Sequence, residues 1–325
     1  MVPRSEADSS RVDKGHRKVA EGAPSKGAGD RIVKVSVVIV NKNERLLGDT
    51  LDAIKPFVGT IVDEVLVVDA SGGALDDIRE SHEWAQWIDY AQPVGVSITI
   101  AHQRNVGVRS AKGDVIVFTD SGCLPEDGWL ERLLSPIVNE HECVCCGPAR
   151  AIGKSVYSRV QSSGADAGVN YVPMAATINL AFRREAFEAV GGFDESFGAA
   201  EDLDFTWRLT DCGYRLRWVP DAVVRHDWGT PTRQLRRAFF YGKGECRLLR
   251  KHPHRIGEAA TLNSAPIAYA IFLASLPLTL KWRWYPLVLL WPIWRHRNEE
   301  LRWLVLLDHL VMGAGVLHEL VRPGT

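Results

Sequence analysis

The 325-residue chain has no excess of either charge: 39 Lys and Arg stand against 40 Asp and Glu, for a formal charge of -1. Without a global basic field nothing draws it onto nucleic acid, and any charged partner must be met by a local patch. It has no cysteine framework either. Cys143, Cys145 and Cys146 crowd one apolar run while Cys123, Cys212 and Cys246 are scattered, so no paired C-x-x-C is there to hold zinc. Buried reduced thiols are the expectation. No G-x-G-x-x-G follows the first apolar run and no G-x-x-x-x-G-K-[ST] occurs, which argues against dinucleotide and P-loop binding. No charged segment leading into a short apolar one opens the chain, so a cytosolic catalytic body is expected.

What is present is an ordinary globular composition, 46% hydrophobic and 24% charged, which excludes a collagen-like repeat and a wholly disordered chain. Residues 1–31 are polar and poor in large apolar side chains, and are expected to be a disordered tail. From Val33 the chain reads Val-Lys-Val-Ser-Val-Val-Ile-Val, the pattern of a strand buried on both faces. Similar runs follow at Val65–Val68 and Val115–Phe118. Between them Leu46 to Ile54 and Asp76 to Trp87 read as helices. The alternation predicts an α/β fold with a mostly parallel sheet flanked by helices.

In such a sheet, ligands gather beyond the carboxyl ends of the strands. Those ends carry Asn41-Lys42-Asn43-Glu44, Asp69-Ala70-Ser71 and Asp120-Ser121-Gly122, so polar and acidic groups from three segments converge on one edge. Further on, Gly191-Gly192-Phe193-Asp194 precedes Glu201-Asp202, an acidic pair placed where a helix dipole favours negative charge. Taken singly, Asp69 and Asp120 fit turn residues, Glu201-Asp202 a charged helix start, and His226 a structural histidine. A Gly/Ser-rich stretch from Gly153 to Asn170 has the composition of a mobile loop.

These pieces, in this order, resemble the family 2 glycosyltransferases: Val-Ser-Val-Val-Ile-Val-Asn-Lys-Asn-Glu from residue 35, Val-Val-Asp from 67, Gln103-Arg104-Asn105-Val106-Gly107, Phe118-Thr119-Asp120, the Gly-Gly-Phe-Asp turn, Glu201-Asp202 with Trp207-Arg208, and His226. The resemblance implies a GT-A fold that binds a nucleotide-sugar donor and transfers its sugar to an acceptor hydroxyl with inversion. It would place Asp69 on the nucleobase, Asn43 and Glu44 near base and ribose, and Arg104 and Asn105 in the donor site. Asp120 would lie near ribose, diphosphate and a Mg²⁺ or Mn²⁺ ion. His226 would help to hold that metal or the diphosphate, and Asp202, beside Glu201, would be the general base. The sequence departs from the family's Asp-x-Asp in reading Asp120-Ser121-Gly122. Loss of the second carboxylate should weaken divalent binding. It leaves three outcomes open: metal held by Asp120, His226 and diphosphate, transfer without metal, or a silent scaffold. A sugar nucleotidyltransferase is the remaining rival.

The carboxyl-terminal third carries eight Lys or Arg against one Glu between Arg233 and Arg255, then three apolar segments beginning at Ala265, Tyr285 and Trp303. Five of the 11 Trp lie beyond residue 280. Amphipathic rings among Leu, Pro, Lys and Arg suit a membrane interface, and a basic stretch suits anionic lipid. The expected organisation is a tail over 1–31, a catalytic domain over 32–230, a basic helical connector over 231–260 and apolar membrane-associated helices over 261–325. The expected partners are a nucleotide-sugar donor, a glycan or lipid-linked acceptor and a membrane surface at its cytoplasmic face, with a cytoplasmic enzyme as the alternative.

Overall fold

The computed structural model describes residues 33–94, 100–152, 168–290, 294 and 302–322. The expected tail over 1–31 and most of the Gly/Ser-rich stretch lie outside them.

Strand β1 (Val35–Asn41) is buried along its whole length, as its unbroken apolar run requires. It pairs in parallel with β2 (Glu64–Asp69) and β4 (Val115–Thr119), and β2 pairs in parallel with β3 (Gln86–Asp89). Beyond β4 the sheet turns mixed: β9 (Asn179–Arg183) runs antiparallel to β4 and to β6 (Val144–Cys146). Then β10 (Leu216–Trp218) pairs in parallel with β6 and antiparallel with β8 (Tyr171–Val172). The eight strands lie in the order β3-β2-β1-β4-β9-β6-β10-β8. A second, three-stranded sheet joins β5 (Cys123–Pro125), β11 (Val224–His226) and β7 (Ala149–Ala151), with β11 in the middle.

Strand alternation sends side chains to two cores. Val35, Val37 and Ile39 face one, with Leu47 and Leu51 of α1 (Leu47–Ile54) and Trp129 and Leu133 of α4 (Trp129–Asn139). Val38 faces the other, with Ala101 and Val108 of α3 (Ile100–Ser110) and Phe205 of α6 (Glu201–Asp211). Phe118, Phe182, Phe187, Phe193 and Phe205 interlock there, with Phe193 and Phe205 stacked at 4.3 Å. A methyl group on Gly107 would overlap the Val38 side chain, so the glycine of Arg-Asn-Val-Gly lets α3 lie close on the sheet.

The expected helix from Asp76 to Trp87 is two elements. Helix α2 (Asp76–Ser81) stops early, and Trp87 lies in edge strand β3, whose half-buried residues give little apolar periodicity to read. After α5 (Arg184–Ala189) and α6, helix α7 (Pro231–Lys251) starts with Thr230 as its cap, the hydroxyl accepting the Arg233 N–H at 3.4 Å, and with proline at its first position. Short helix α8 (Ile256–Leu262) leads to α9 (Ala265–Ala274), and α10 (Arg302–Val321) closes the described chain.

Helices α7, α9 and α10 meet along a seam of glycines. A methyl on Gly242 would overlap the Met312 carbonyl oxygen, one on Gly315 the Phe239 carbonyl oxygen, and one on Gly313 would lie 2.7 Å from the Tyr269 carbonyl carbon. Buried Glu319 of α10 then takes Arg247 at 2.6 Å and Lys243 at 4.0 Å from α7. Of the eight cations between Arg233 and Arg255, seven have partners within the chain, so the basic stretch is a bracing helix and not a free cationic stripe. Replacing Gly315 with Ala forces α7 and α10 apart and should cost about 1–3 kcal/mol, read as a lower Tm. Gly257→Ala meets nothing within 4 Å and should leave the Tm unchanged or slightly higher.

Candidate active site

The carboxyl ends of β1, β2 and β4 come together as the strand pattern predicts. Asn41 and Asp69 are register partners across β1 and β2. The Asp69 carboxylate accepts from Ser71 twice, from its N–H at 3.1 Å and its hydroxyl at 2.5 Å, and lies 3.4 Å from the Asn41 amide. Ser121 donates its hydroxyl to the Asn41 side-chain oxygen Oδ1 at 2.8 Å. Asn41 thus ties the Asp69 loop to the Asp120 loop. Asn43 adopts a left-handed φ of 59° and donates its N–H to Ser71 at 2.7 Å, while Glu44 pairs with Arg233 of α7 at 2.8 Å. Asn41, Ser71 and Ser121 were not singled out as site residues from the sequence, although all three sit at strand ends, the signal that picked out their neighbours.

On the far side of the edge, Ala200 takes a left-handed φ of 64° and α6 starts at Glu201 with three acids in its first turn. Negative charge is favoured there by the helix dipole. Glu201, 5% exposed, is ion-paired to Arg104 of α3, which is 3% exposed and also lies 3.8 Å from Asp120. Burial works against the Arg104 charge, and the charges of Glu201, Asp120 and Asp202 more than offset it, so the guanidinium stays firmly protonated. Glu201 is therefore a fixed partner for Arg104.

Among the described residues Asp202 has no ion-pair partner, since Arg104 is taken by Glu201. Its carboxylate accepts the Leu203 N–H at 2.9 Å. Burial first, then the Glu201 charge, push its pKa up to about 7, with Arg104 pulling the other way. The residue as a whole is half-buried, and its carboxyl is pushed toward neutrality. That combination suits a general base.

Asn105 differs from its expected place in the donor site. It is 1% exposed, its amide donates to the Phe193 carbonyl at 2.9 Å and to Glu195 at 2.8 Å, and its oxygen accepts the Phe193 N–H at 2.9 Å. Its hydrogen bonds are spent on holding the Gly-Gly-Phe-Asp turn against α3.

His226, at the end of β11, is the register partner of Cys123 and lies 3.6 Å from its sulfur through Nδ1. Burial lowers its pKa, Arg237 lowers it further and Asp120 opposes, so the imidazole is neutral at neutral pH and able to ligate. Gly122 has a φ of 86°, and a side-chain carbon there would sit 3.7 Å from the His226 ring. The second carboxylate of the family pattern is thus absent where the backbone is left-handed. Asp120 is 36% exposed at its side chain and its charge acts on His226, and a carboxylate and a neutral imidazole are ligand types that a divalent ion accepts beside phosphate oxygens.

Asp211, His252 and His254 also lie within 4.8 Å of one another through ligand atoms. They sit at the opposite end of α6, about 15 Å along an 11-residue helix from Glu201, and Arg255 holds Asp211 at 2.6 Å.

Comparison with known proteins agrees with this geometry. Residues 36–193 match the family described as Glycosyl transferase family 2, and residues 156–317 match Glycosyl transferase family group 2. The chain is 29% identical over 277 residues to the pre-mycofactocin glycosyltransferase of Mycobacterium tuberculosis, covering 78% of this chain and 55% of that protein. It is 27% identical over 151 residues to glycosyltransferase AglE of Haloferax volcanii, covering 45% and 50%. The chain therefore spans about half the length of these relatives. Among solved structures, the mannosyltransferase PcManGT of Pyrobaculum calidifontis, in complex with GDP-Man and Mn²⁺, superposes with a TM-score of 0.58 at 21% identity, covering 89% of this chain and 87% of that one. GalNAc-T7 with UDP, GalNAc and Mn²⁺ gives 0.52 at 16%, covering 72% and 58%.

The Asp202 environment sets a stability signature. A carboxyl whose folded pKa lies above its unfolded value near 3.8 stabilises the fold while protonated, and that contribution is lost as pH rises from about 4 through about 7. Asp202→Asn has no such loss. Its Tm advantage over the native chain should grow across that window and level off above it, in paired thermal melts at each pH. With a mixed α/β sheet on the GT-A plan, the strand-end acids gathered against the Glu201-Asp202 helix, and family matches running in succession from residue 36 to residue 317, the chain belongs to the family 2 glycosyltransferases.

Proposed function

We propose that this protein is an enzyme, an inverting glycosyltransferase of the hexosyltransferase class, moving a sugar from a nucleoside-diphosphate donor to an acceptor hydroxyl. The observation that carries the reading is Asp202, a carboxyl pushed up to about 7 by burial and by the Glu201 charge, in the first turn of the helix that Arg104 ties to Asp120. In the reaction it takes the proton of the acceptor hydroxyl as the acceptor oxygen bonds to the anomeric carbon. The bond from that carbon to the diphosphate oxygen breaks, and its electron pair leaves on the nucleoside diphosphate. Arg104, held by Glu201, supplies fixed positive charge beside Asp120. Asp69 would take the nucleobase, a role supported by its fixed hydrogen bond to Ser71, with Asn43 and Glu44 on the neighbouring loop. A divalent ion on Asp120 and His226 would neutralise charge on the departing diphosphate. The Mn²⁺ and nucleotide ligands of PcManGT and GalNAc-T7 support this assignment.

The acceptor side points to a membrane surface at the cytoplasmic face, and so to a lipid-linked or surface-borne glycan. Leu280, Trp282, Trp284, Leu290, Trp294 and Trp303 are all exposed, with Lys281 over the Trp282 ring and Arg283 over the Trp284 ring at 4.6 Å. Helix α10 contains 19 residues, Trp303–Val321, long and apolar enough to cross a membrane by length and composition, and a third of that stretch is buried in the protein. Exposed indoles next to cations are the arrangement of an interfacial anchor.

Donor consumption tests the first part. Across a panel of nucleotide sugars the native chain should release a nucleoside diphosphate from one of them, and Asp202→Asn should lose about 100-fold or more in kcat with nucleotide binding retained. The kcat/KM should fall as pH drops below about 7, where Asp202 takes up its proton. Release of pyrophosphate would point to a nucleotidyltransferase, and no turnover of any donor to a silent scaffold. For the second part, flotation with phosphatidylcholine vesicles should carry the native chain to the lipid fraction and leave the triple variant Trp282→Ser, Trp284→Ser, Trp294→Ser behind. Equal recovery of the two in the soluble fraction contradicts the anchor.

A further inference from the structure

The chain has no paired cysteines for a metal, but it carries His252-Pro253-His254 where α7 ends. His252 is the first residue past that helix, and His254 sits in the single turn that follows, Pro253–Arg255. Both meet Asp211, the last residue of α6, at the end of that helix away from Glu201 and Asp202. His252 Nδ1 lies 3.8 Å and His254 Nε2 3.3 Å from the same oxygen, Asp211 Oδ2, and one ligand atom from each of the three lies within 4.8 Å of the others. A tetrahedral zinc ion with bonds of about 2.0–2.1 Å spaces its ligand atoms about 3.4 Å apart. The three side chains are already near that spacing, and His254, 59% exposed at its side chain, can turn to close it.

The surroundings aim these groups. His252 is 5% exposed, and its Nε2 lies 2.9 Å from the fully buried Asp204. Asp204 is a carboxylate paired with Arg208 at 2.8 Å and Lys251 at 2.7 Å, so it only accepts, and the His252 ring donates to it from Nε2. In the neutral ring Nδ1 is then a bare lone pair facing a carboxylate oxygen. Two acceptors set against each other call for a cation between them. On the other side Arg255 takes Asp211 Oδ1 at 2.6 Å while Thr210 and Glu258 fix the guanidinium, which leaves Oδ2 to the histidines. A histidine whose second nitrogen donates to a carboxylate, and a carboxylate that is itself hydrogen-bonded, are the supports that metal ligands carry. The ion pairs of this corner join four carboxylates, Asp194, Asp204, Asp211 and Glu258, to three cations, Arg208, Lys251 and Arg255, so one negative charge is in surplus.

We propose that Asp211, His252 and His254 bind a divalent transition metal of the zinc type through Oδ2, Nδ1 and Nε2, with water in the remaining position. Two imidazoles beside one carboxylate favour such an ion over Mg²⁺ or Ca²⁺, which take oxygen ligands. The metal clasps the end of α6 to the end of α7, and so steadies from its far end the helix that carries Glu201 and Asp202.

Zinc titration of the metal-stripped, full-length chain tests this. It is done in Asp120→Asn, where the donor-site carboxylate cannot compete, and in the same chain carrying His254→Gln. The first should take up one Zn²⁺, show the intense visible absorption of a tetrahedral site when Co²⁺ replaces it, and gain about 3–6 °C in Tm at saturation. Gln at 254 can still donate to Asp211, so the metal-free Tm should barely move while Zn²⁺ affinity falls by about 100-fold or more. X-ray absorption at the zinc edge of loaded Asp120→Asn should count two imidazoles around the metal, which decides the matter even if circular dichroism shows the second variant unfolded. No zinc uptake, uptake that a folded His254→Gln leaves unchanged, or fewer than two imidazoles overturns the inference. So does a Tm that follows pH but not Zn²⁺, since the cation between His252 and Asp211 would then be a proton.

Discussion

Arg104 and Glu201 lie 97 residues apart in the chain and meet in one buried ion pair, and the chemistry of the site depends on that contact. It joins α3, which packs on the parallel half of the sheet through Gly107, to α6, which carries the acids. Buried charge is tolerated only when paired, and removing one partner of such a pair typically costs about 3–5 kcal/mol. Because Glu201 occupies Arg104, that cation only partly offsets the burial and the Glu201 charge that raise the proton affinity of Asp202. Adjacent carboxylates thus take different tasks: one fixes a cation, the other titrates.

Around this contact the structure divides the work by layer. The strand ends give a rigid edge in which Asn41 couples the Asp69 and Asp120 loops. The antiparallel strand β9 and the small sheet around β11 bring His226 to the same edge from the second half of the chain. Helix α7 closes the other side, braced by a glycine seam on α10 and by ion pairs to Glu319, Asp194 and Asp204. Catalytic part and apolar end therefore share a wall, so an acceptor held at a lipid surface would lie beside the helix that borders the donor cleft.

Much of this was legible in the sequence because local pattern decided it. The β-branched runs of β1, β2 and β4 announce buried strands, and the acids that end them fall where an α/β sheet gathers ligands. What was misread depended on distant partners. Trp87 was placed in a helix because edge strand β3 is half-buried and four residues long. The three-residue strands β5, β7 and β11 are too short for any periodicity, and only pairing defines them. The contacts of the Asn105 amide with a turn some 90 residues away are likewise not visible in the sequence. The basic run of α7 was read as suited to anionic lipid, since sequence shows charge and not the carboxylates and carbonyls that most of these cations meet.

The measurement closest to the central claim is the titration of the Asp202 carboxyl, followed by carbon-13 NMR in the native chain and in Glu201→Gln. The account predicts a midpoint near 7 in the native chain. In Glu201→Gln it predicts a fall of about one unit or more, because a like charge is removed and Arg104 is freed to act on Asp202. A native midpoint in the ordinary carboxylate range, or one that does not move when Glu201 loses its charge, would contradict it.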